Sequence, residues 1–286
     1  MSYVDSPAKK QKHPHYEHRT AKLDIKDNQF TSKKFHHVRK VSTPKKILES
    51  FKRIGMCVNG KSSSEINPEY LDKVCFVFIN SYKKKDSYLG VGPLNDGYLV
   101  GLNHHRLGYK IFYLHNPRSD EFISFLGFFV KHTKVELTVF YSGLNTNGCK
   151  DIKFCDGCLS REVVGDVIAQ NCNRKSRILF ITDCCDGGSV FDIHAMNPDN
   201  FLPSSNLISF FVNKSCKPQS TESKRSHGIF TYYFCKITSD CPNITPGRLV
   251  DRINPSLKRF NESFGCDVTE KELIDRPIFS TQKANN

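Results

Sequence analysis

Ile178-Leu-Phe-Ile-Thr-Asp-Cys-Cys-Asp-Gly-Gly-Ser189 is the stretch on which the reading of this chain turns. From Ile178 to Thr182 large apolar and β-branched side chains follow one another without the alternation of a strand that shows one face to water. Such a run reads as a strand covered on both faces. It stops at Asp183, and two cysteines and two glycines follow at once. In an open α/β sheet, chemistry gathers at the carboxyl ends of the strands, so this strand end is the first candidate for a site.

Four more runs of the same kind lie outward from it. Val74–Ile79 stops at Asn80, and Tyr109–Leu114 stops at His115-Asn-Pro. Val135–Tyr141 stops at Ser142-Gly143, and Leu207–Val212 follows downstream. Thr43-Pro44 opens a helical spacing through Ile47, Leu48, Phe51 and Ile54. The segments between the runs are long enough for crossover helices. Leu94–Leu107 offers Leu99 and Leu102 for packing, and Ser119–Val130 starts with a capping Ser and two acids. Ser160–Ile168 has the same design, with Val163, Val164, Val167 and Ile168 as its packing side. Gly228–Ile237 and Pro246–Phe264 read as two further helices. Strand and helix in alternation predict an α/β three-layer sandwich, a mostly parallel sheet of about six strands with helices on both faces.

Charge divides the 286 residues into parts. The chain carries a net charge of +13, and between Met1 and Lys61 alone 12 Lys and 3 Arg face 5 acids. A basic excess confined to one end describes a tail, either solvated or in contact with nucleic acid or an anionic membrane. The expected division is a disordered basic tail over 1–43, a short helix and linker over 44–70, the folded domain over 71–280, and a C-terminal tail over 281–286. The start of the chain is polar, with no apolar leader, and the longest apolar window, Ile123–Val130, is too short to cross a bilayer. A cytoplasmic location is expected, with the nucleus as the alternative. The twelve cysteines then read as thiols: packing residues, ligands or nucleophiles.

Five segments together resemble the caspase-family cysteine peptidases, and the metacaspases among them. Asp183-Cys-Cys185 resembles the nucleophile loop of that family, in which a strand ends in Asp-x-Cys-His-Ser-Gly. Leu137–Gly143 resembles its strand ending in Tyr-Ser-Gly-His-Gly, and Gly90–Asp96 resembles the Asn-Asp segment that starts its first helix. Gly228-Ile-Phe-Thr231 resembles a Gly-x-Phe-Thr helix opening, and Asp275–Phe279 the closing segment. The five fall in the family's order over about two hundred residues. The resemblance implies a caspase-like sandwich with Cys185 at the nucleophile position and Cys184 at a variable, packing position. It implies a pocket for Arg or Lys lined by Asp96 and Asp183, because two carboxylates facing one cavity attract a guanidinium or ammonium. It places the oxyanion region near Gly143 and Gly187.

Two departures follow from the same register. Leu144 stands where the family has its catalytic histidine, and leucine neither accepts nor donates a proton. Asp186 stands where the family has histidine after the nucleophile, and its charge opposes both a thiolate and a developing oxyanion. The expectation is therefore a pseudopeptidase with a binding or regulatory role, monomeric, recognising a peptide with basic residues or an active relative. The alternatives are an active endopeptidase cutting after Arg or Lys through Cys185, with His194, His104 or His105 as stand-in bases, and a nucleic-acid-associated protein working through its tail. No membrane contact and no cofactor are expected. The segment Asn145–Asp156 has only Asp151 and Asp156 as acids, which disfavours a calcium site. Cys155-x-x-Cys158, with Cys149 and Cys172 nearby, reads either as a zinc site or as packing and surface thiols.

Overall fold

The structure, a computed structural model, describes residues 43–82, 89–144, 151–172, 176–184, 190–194, 196, 206–214 and 228–280. The basic tail, Cys149, Cys185, Asp186, Gly187 and the last six residues lie outside the described residues.

The elements run α1 (Pro44–Lys52), β1 (Gly55–Cys57), β2 (Lys73–Ile79), α2 (Gly92–Arg106), β3 (Lys110–His115), α3 (Ser119–His132) and β4 (Glu136–Ser142). They continue with β5 (Ile152–Lys153), β6 (Cys158–Leu159), α4 (Arg161–Asn171), β7 (Arg177–Asp183), β8 (Leu207–Lys214), α5 (Ile229–Asp240), α6 (Pro246–Lys258) and β9 (Glu262–Val268). One seven-stranded sheet has the order β1-β3-β2-β4-β7-β8-β9, and β5 and β6 form a separate hairpin. Every pairing in the large sheet is parallel except β8 with β9. The central strands β2, β4 and β7 are buried on both faces, which is why their sequences show no alternation.

Two cores cover the two faces. On one, Phe122, Phe125 and Phe129 of α3 and Val164 and Ile168 of α4 pack against Phe76, Phe78, Val139 and Phe180. On the other, α1, α2, α5 and α6 pack against Val77, Ile79, Phe140 and Ile181. Phe51 of α1 stacks on Tyr113 of β3 with ring centres 4.1 Å apart, and β1 pairs with β3. The segment from Pro44 to Cys57 is thus packed into the sandwich, and β1 at one edge and β9 at the other bring the five strand runs read from the sequence to seven.

Two expectations need correction. Pro246–Phe264 is not one helix: α6 ends at Lys258, Asn261 takes a left-handed φ of 56°, and β9 starts at Glu262. The cause is tertiary. Asn254 of α6 bonds the backbone of Phe264 in both directions, Phe264 N to Oδ1 at 2.7 Å and Nδ2 to Phe264 O at 3.0 Å, and so turns the chain back along β8. Val163, read as a packing residue, is 42% exposed, because α4 rests on Val164 and Ile168 instead.

His104 illustrates how tightly the α2 layer is sealed. It is fully buried between the rings of Tyr109 and Phe279, Nδ1 bonds the Val100 carbonyl at 2.9 Å, and Nε2 has no partner among the described residues. Burial pulls its pKa down from 6.5 to about 4, against the smaller upward pull of the Val100 carbonyl. The unfolded chain therefore binds a proton that the folded one refuses between those pH values, and stability falls as pH drops through the window. A shift of that size corresponds to about 3 kcal/mol at the acid end. Urea unfolding at pH 7 and pH 4.5 should show a smaller acid loss in His104→Leu than in the parent; equal losses would contradict the assignment.

Candidate active site

β4 and β7 are neighbours in parallel register, with Ser142 beside Asp183, so their carboxyl ends lie about 5 Å apart. Gly143 and Leu144 continue from the first and Cys184 from the second. Leu144 is thus at the carboxyl ends of the two strands.

Its backbone is held by two phenols. The Leu144 N–H donates to Tyr82 Oη at 3.1 Å, and the Leu144 carbonyl accepts from Tyr141 Oη at 2.6 Å. Tyr82 Oη also donates to the Lys153 carbonyl at 2.9 Å, so this one hydroxyl joins the β4 exit to the β5–β6 hairpin. Tyr82 takes a left-handed φ of 53°, rare for an aromatic residue, and Asn116 Oδ1 holds that turn by accepting from the N–H groups of Ser81 and Tyr82. Burial raises the pKa of both phenols, and the nearby Cys184 raises them further, so they remain neutral donors at physiological pH. Gly143 is required by the same arrangement: a Cβ there would come within 2.5 Å of Tyr141 Oη. Cys184 is buried in the α3–α4 core.

On the opposite face, the structure brings Asp96 and Asp183 to one place, the start of α5. Asp96 Oδ1 accepts from the Gly228 N–H at 2.6 Å, and its Oδ2 accepts from Ser142 Oγ at 3.3 Å. Asp183 Oδ2 accepts from Thr231 Oγ1 at 2.6 Å and from the Thr231 N–H at 3.3 Å. Two carboxylates thus meet the unsatisfied donors and positive dipole end of a helix. Each is 3% exposed. Gly228-Ile-Phe-Thr231 is legible in these terms. Thr231 supplies a hydroxyl, and a Cβ on Gly228 would lie 2.0 Å from Asp183 Oδ2. Gly228→Ala should cost about 1–3 kcal/mol through this clash, read as a lower urea midpoint. An unchanged midpoint would show that the α5 start yields freely.

The remaining candidates lie apart from these strand ends. His104 is eight residues beyond Asp96 on α2, about 12 Å along the helix axis, and packs at the amino end of the sheet. His105 is exposed, and His194 is exposed and near Asp267 of β9, whose carboxyl pKa burial raises, with His194 pulling it only part of the way back. His115, which the sequence reading passed over, ends β3, separated from β4 by β2, roughly 10 Å away. Its Nε2 lies 3.3 Å from Asn116 Nδ2.

Asp156 accepts from the Ser119 N–H and hydroxyl, both at 3.1 Å, and so anchors the β5–β6 hairpin to the start of α3. Cys155 and Cys158 lie at the turn and second strand of that hairpin, both exposed, with Cys155 Sγ 3.1 Å from the Pro117 carbonyl. Partial burial and the Asp156 charge raise the Cys155 pKa and keep it a thiol. Among the described residues no three His, Cys, Asp or Glu side chains are grouped as a metal would need, and no helix is long and apolar enough to cross a membrane.

Tyr82 is the residue that sequence reasoning missed. It follows the β2 run at Asn80-Ser-Tyr, where only a strand end is visible, and its partners lie about sixty to seventy residues away.

No family model and no curated protein matches the chain. Among solved structures, a structural-genomics target from Geobacter sulfurreducens is similar at 11% identity and a TM-score of 0.50, over 73% of this chain and 98% of that one. Caspase-1 from Spodoptera frugiperda is similar at 13% identity and a TM-score of 0.48, over 66% of this chain and 79% of that one. A pro-form, titled pro-sf-caspase-1, gives 15% identity and a TM-score of 0.49, over 66% and 81%. At 11% identity the likeness to the Geobacter sulfurreducens protein is one of fold. The mixed, mostly parallel seven-stranded sheet with helices on both faces is the three-layer α/β sandwich expected from the sequence.

Proposed function

We propose that this chain is a pseudopeptidase of the caspase family, close to the metacaspases, that binds a basic peptide or an active relative and does not cleave it. The observation that supports this most is the place of Leu144. It stands at the carboxyl end of β4 beside the end of β7, where a peptidase of this design needs an imidazole. The described histidines are at the far end of α2, at the end of α3, at the β9 edge, or beyond β2. A thiol at the Cys185 position would then have no imidazole among the described residues to take its proton and none to protonate the leaving amine. A free thiol is only a few per cent ionised at neutral pH, and Asp186 next to it lowers that fraction.

Recognition of basic residues is supported by the convergence of Asp96 and Asp183 on one helix start. Among the described residues, the Gly228 and Thr231 N–H groups and the Ser142 and Thr231 hydroxyls reach them. Two carboxylates gathered at one place are the complement of a lysine or arginine side chain. In a fluorogenic assay with Arg- and Lys-containing peptides, the full chain should give no more turnover than its Cys185→Ala variant, while the same peptides with a non-cleavable bond should bind more tightly than their Glu counterparts. Turnover that disappears in Cys185→Ala would establish the active endopeptidase instead.

A further inference from the structure

The two helical layers of the sandwich differ in charge. α1, α2, α5 and α6, which cover one face, carry eight Lys and Arg against four acids, one of them the buried Asp96. α3 and α4, on the other face, carry two Lys and Arg against four acids. The excess is therefore a property of one side of the folded domain and separate from the basic tail.

α6 carries Arg248, Arg252 and Lys258 against Asp251, and Arg259 follows at its end. Leu249, Ile253 and Leu257 are buried and turn Arg248, Arg252 and Arg259 to one exposed stripe, about 6 Å from the first to the second and about 16 Å from first to last. This stripe flanks α5. Arg252 Nη1 reaches Cys241 Sγ, just past the end of α5, at 3.2 Å, and Arg259 bonds the Tyr233 hydroxyl. The Arg259 guanidinium also lies 5.0 Å from the centre of the Phe260 ring. None of the ion pairs between described residues involves these three arginines. Two of the three guanidiniums, those of Arg252 and Arg259, are held by neutral partners, and Arg259 has aromatic rings beside it.

We propose that the α5–α6 seam is a binding surface for the phosphate backbone of a polynucleotide, without sequence readout. Arginine forks match phosphate geometry and stack on rings, and a basic track with aromatic platforms is the form that sequence-independent strand binding takes. A lipid surface fits less well, because peripheral helices insert large apolar side chains. The exposed large apolar residues among those described are Met56, Tyr70 and Val163, and none is on these four helices. The proposal is independent of the pseudopeptidase reading, since the seam shares no residue with the ends of β4 and β7.

The test uses the full chain and a labelled single-stranded RNA of about twenty nucleotides, with DNA of the same sequence beside it, titrated by anisotropy over a range of salt. Changing Arg248, Arg252 and Arg259 together to Gln should remove three phosphate contacts. The slope of log affinity against log salt should then fall by about 2, and affinity at about 0.1 M salt should fall on the order of a hundredfold. The matching triple Lys variant should keep the salt slope, and Lys131→Gln on the opposite layer should change nothing; unfolding midpoints show that each variant is folded. Unchanged affinity and slope in the Gln variant, with binding lost on deletion of residues 1–42, would assign the contact to the tail and overturn the proposal. Binding to phosphatidylserine vesicles or to polyglutamate with none to RNA or DNA would overturn it too.

Discussion

Glu136→Ala should destabilise the domain by about 3–5 kcal/mol, the cost of removing one partner from a buried ion pair. Glu136 is the first residue of β4 and is fully buried. Its carboxylate receives the Tyr109 hydroxyl, Arg177 Nε at 3.0 Å together with Arg177 Nη2, and the Ser280 N–H at 3.0 Å. Arg177 opens β7 beside it, and Lys73, which opens β2 on the other side, reaches the Ser280 carbonyl. Arg177 also bonds the Pro277 carbonyl at 2.6 Å. The closing segment Pro277–Ser280 is therefore tied across the amino ends of the three central strands. Loss of the carboxylate leaves the Arg177 guanidinium, 14% exposed, without its counter-charge. Replacing both partners, Glu136→Leu with Arg177→Met, should recover most of the loss, because the desolvation cost goes with the charges. Urea unfolding measures both variants, and a loss below about 1 kcal/mol in Glu136→Ala would show that water already serves the pair. Proteolysis near Pro277 should also quicken in the single variant.

This network shows where the sequence was legible and where it was not. The five strand interiors were legible because a strand buried on both faces needs uninterrupted apolar side chains, as in Cys75–Ile79 and Ile178–Ile181. The charged residues that open those strands were not. Lys73, Glu136 and Arg177 are polar positions next to apolar runs, and only the parallel register brings them side by side. β9 went unread because Glu262–Val268 is half-buried, polar and antiparallel at an edge, and its start is set by Asn254 eight residues earlier. At the site, the motif spacing placed Asp96, Asp183, Gly143 and Leu144 at strand and helix ends, where the structure has them. That Asp96 and Asp183 share the start of α5 was not legible, since Gly228 is 132 residues from Asp96. Tyr82 was invisible for the same reason: a left-handed aromatic residue has no sequence signature.

The gain-of-function variant carries the largest expected effect on activity. The Leu144 backbone is fixed by Tyr82 and Tyr141, which bond only its N–H and carbonyl. A different side chain at 144 leaves both bonds intact, so Leu144→His puts an imidazole at the β4 exit without loosening the loop. That side chain is half-buried, which gives the ring a defined place at the strand ends. Asp186→His replaces a carboxylate that opposes the thiolate with the residue the caspase pattern has there. General acid–base catalysis contributes about 10²–10⁴-fold, so the double variant should cleave Arg and Lys peptides at least a hundredfold faster than the parent. Leu144→His alone should give part of that gain, with the remainder appearing on addition of Asp186→His. The rate should follow a bell-shaped pH profile, and Cys185→Ala in the double background should abolish it. Gly143→Ala in the same background should lower the rate again, because the added Cβ displaces the Tyr141 hydroxyl that sets the Leu144 carbonyl. If the double variant stays at the Cys185→Ala background while its unfolding midpoint equals the parent's, more than a proton carrier has been lost, and the strand ends are not a peptidase site lacking only its imidazole.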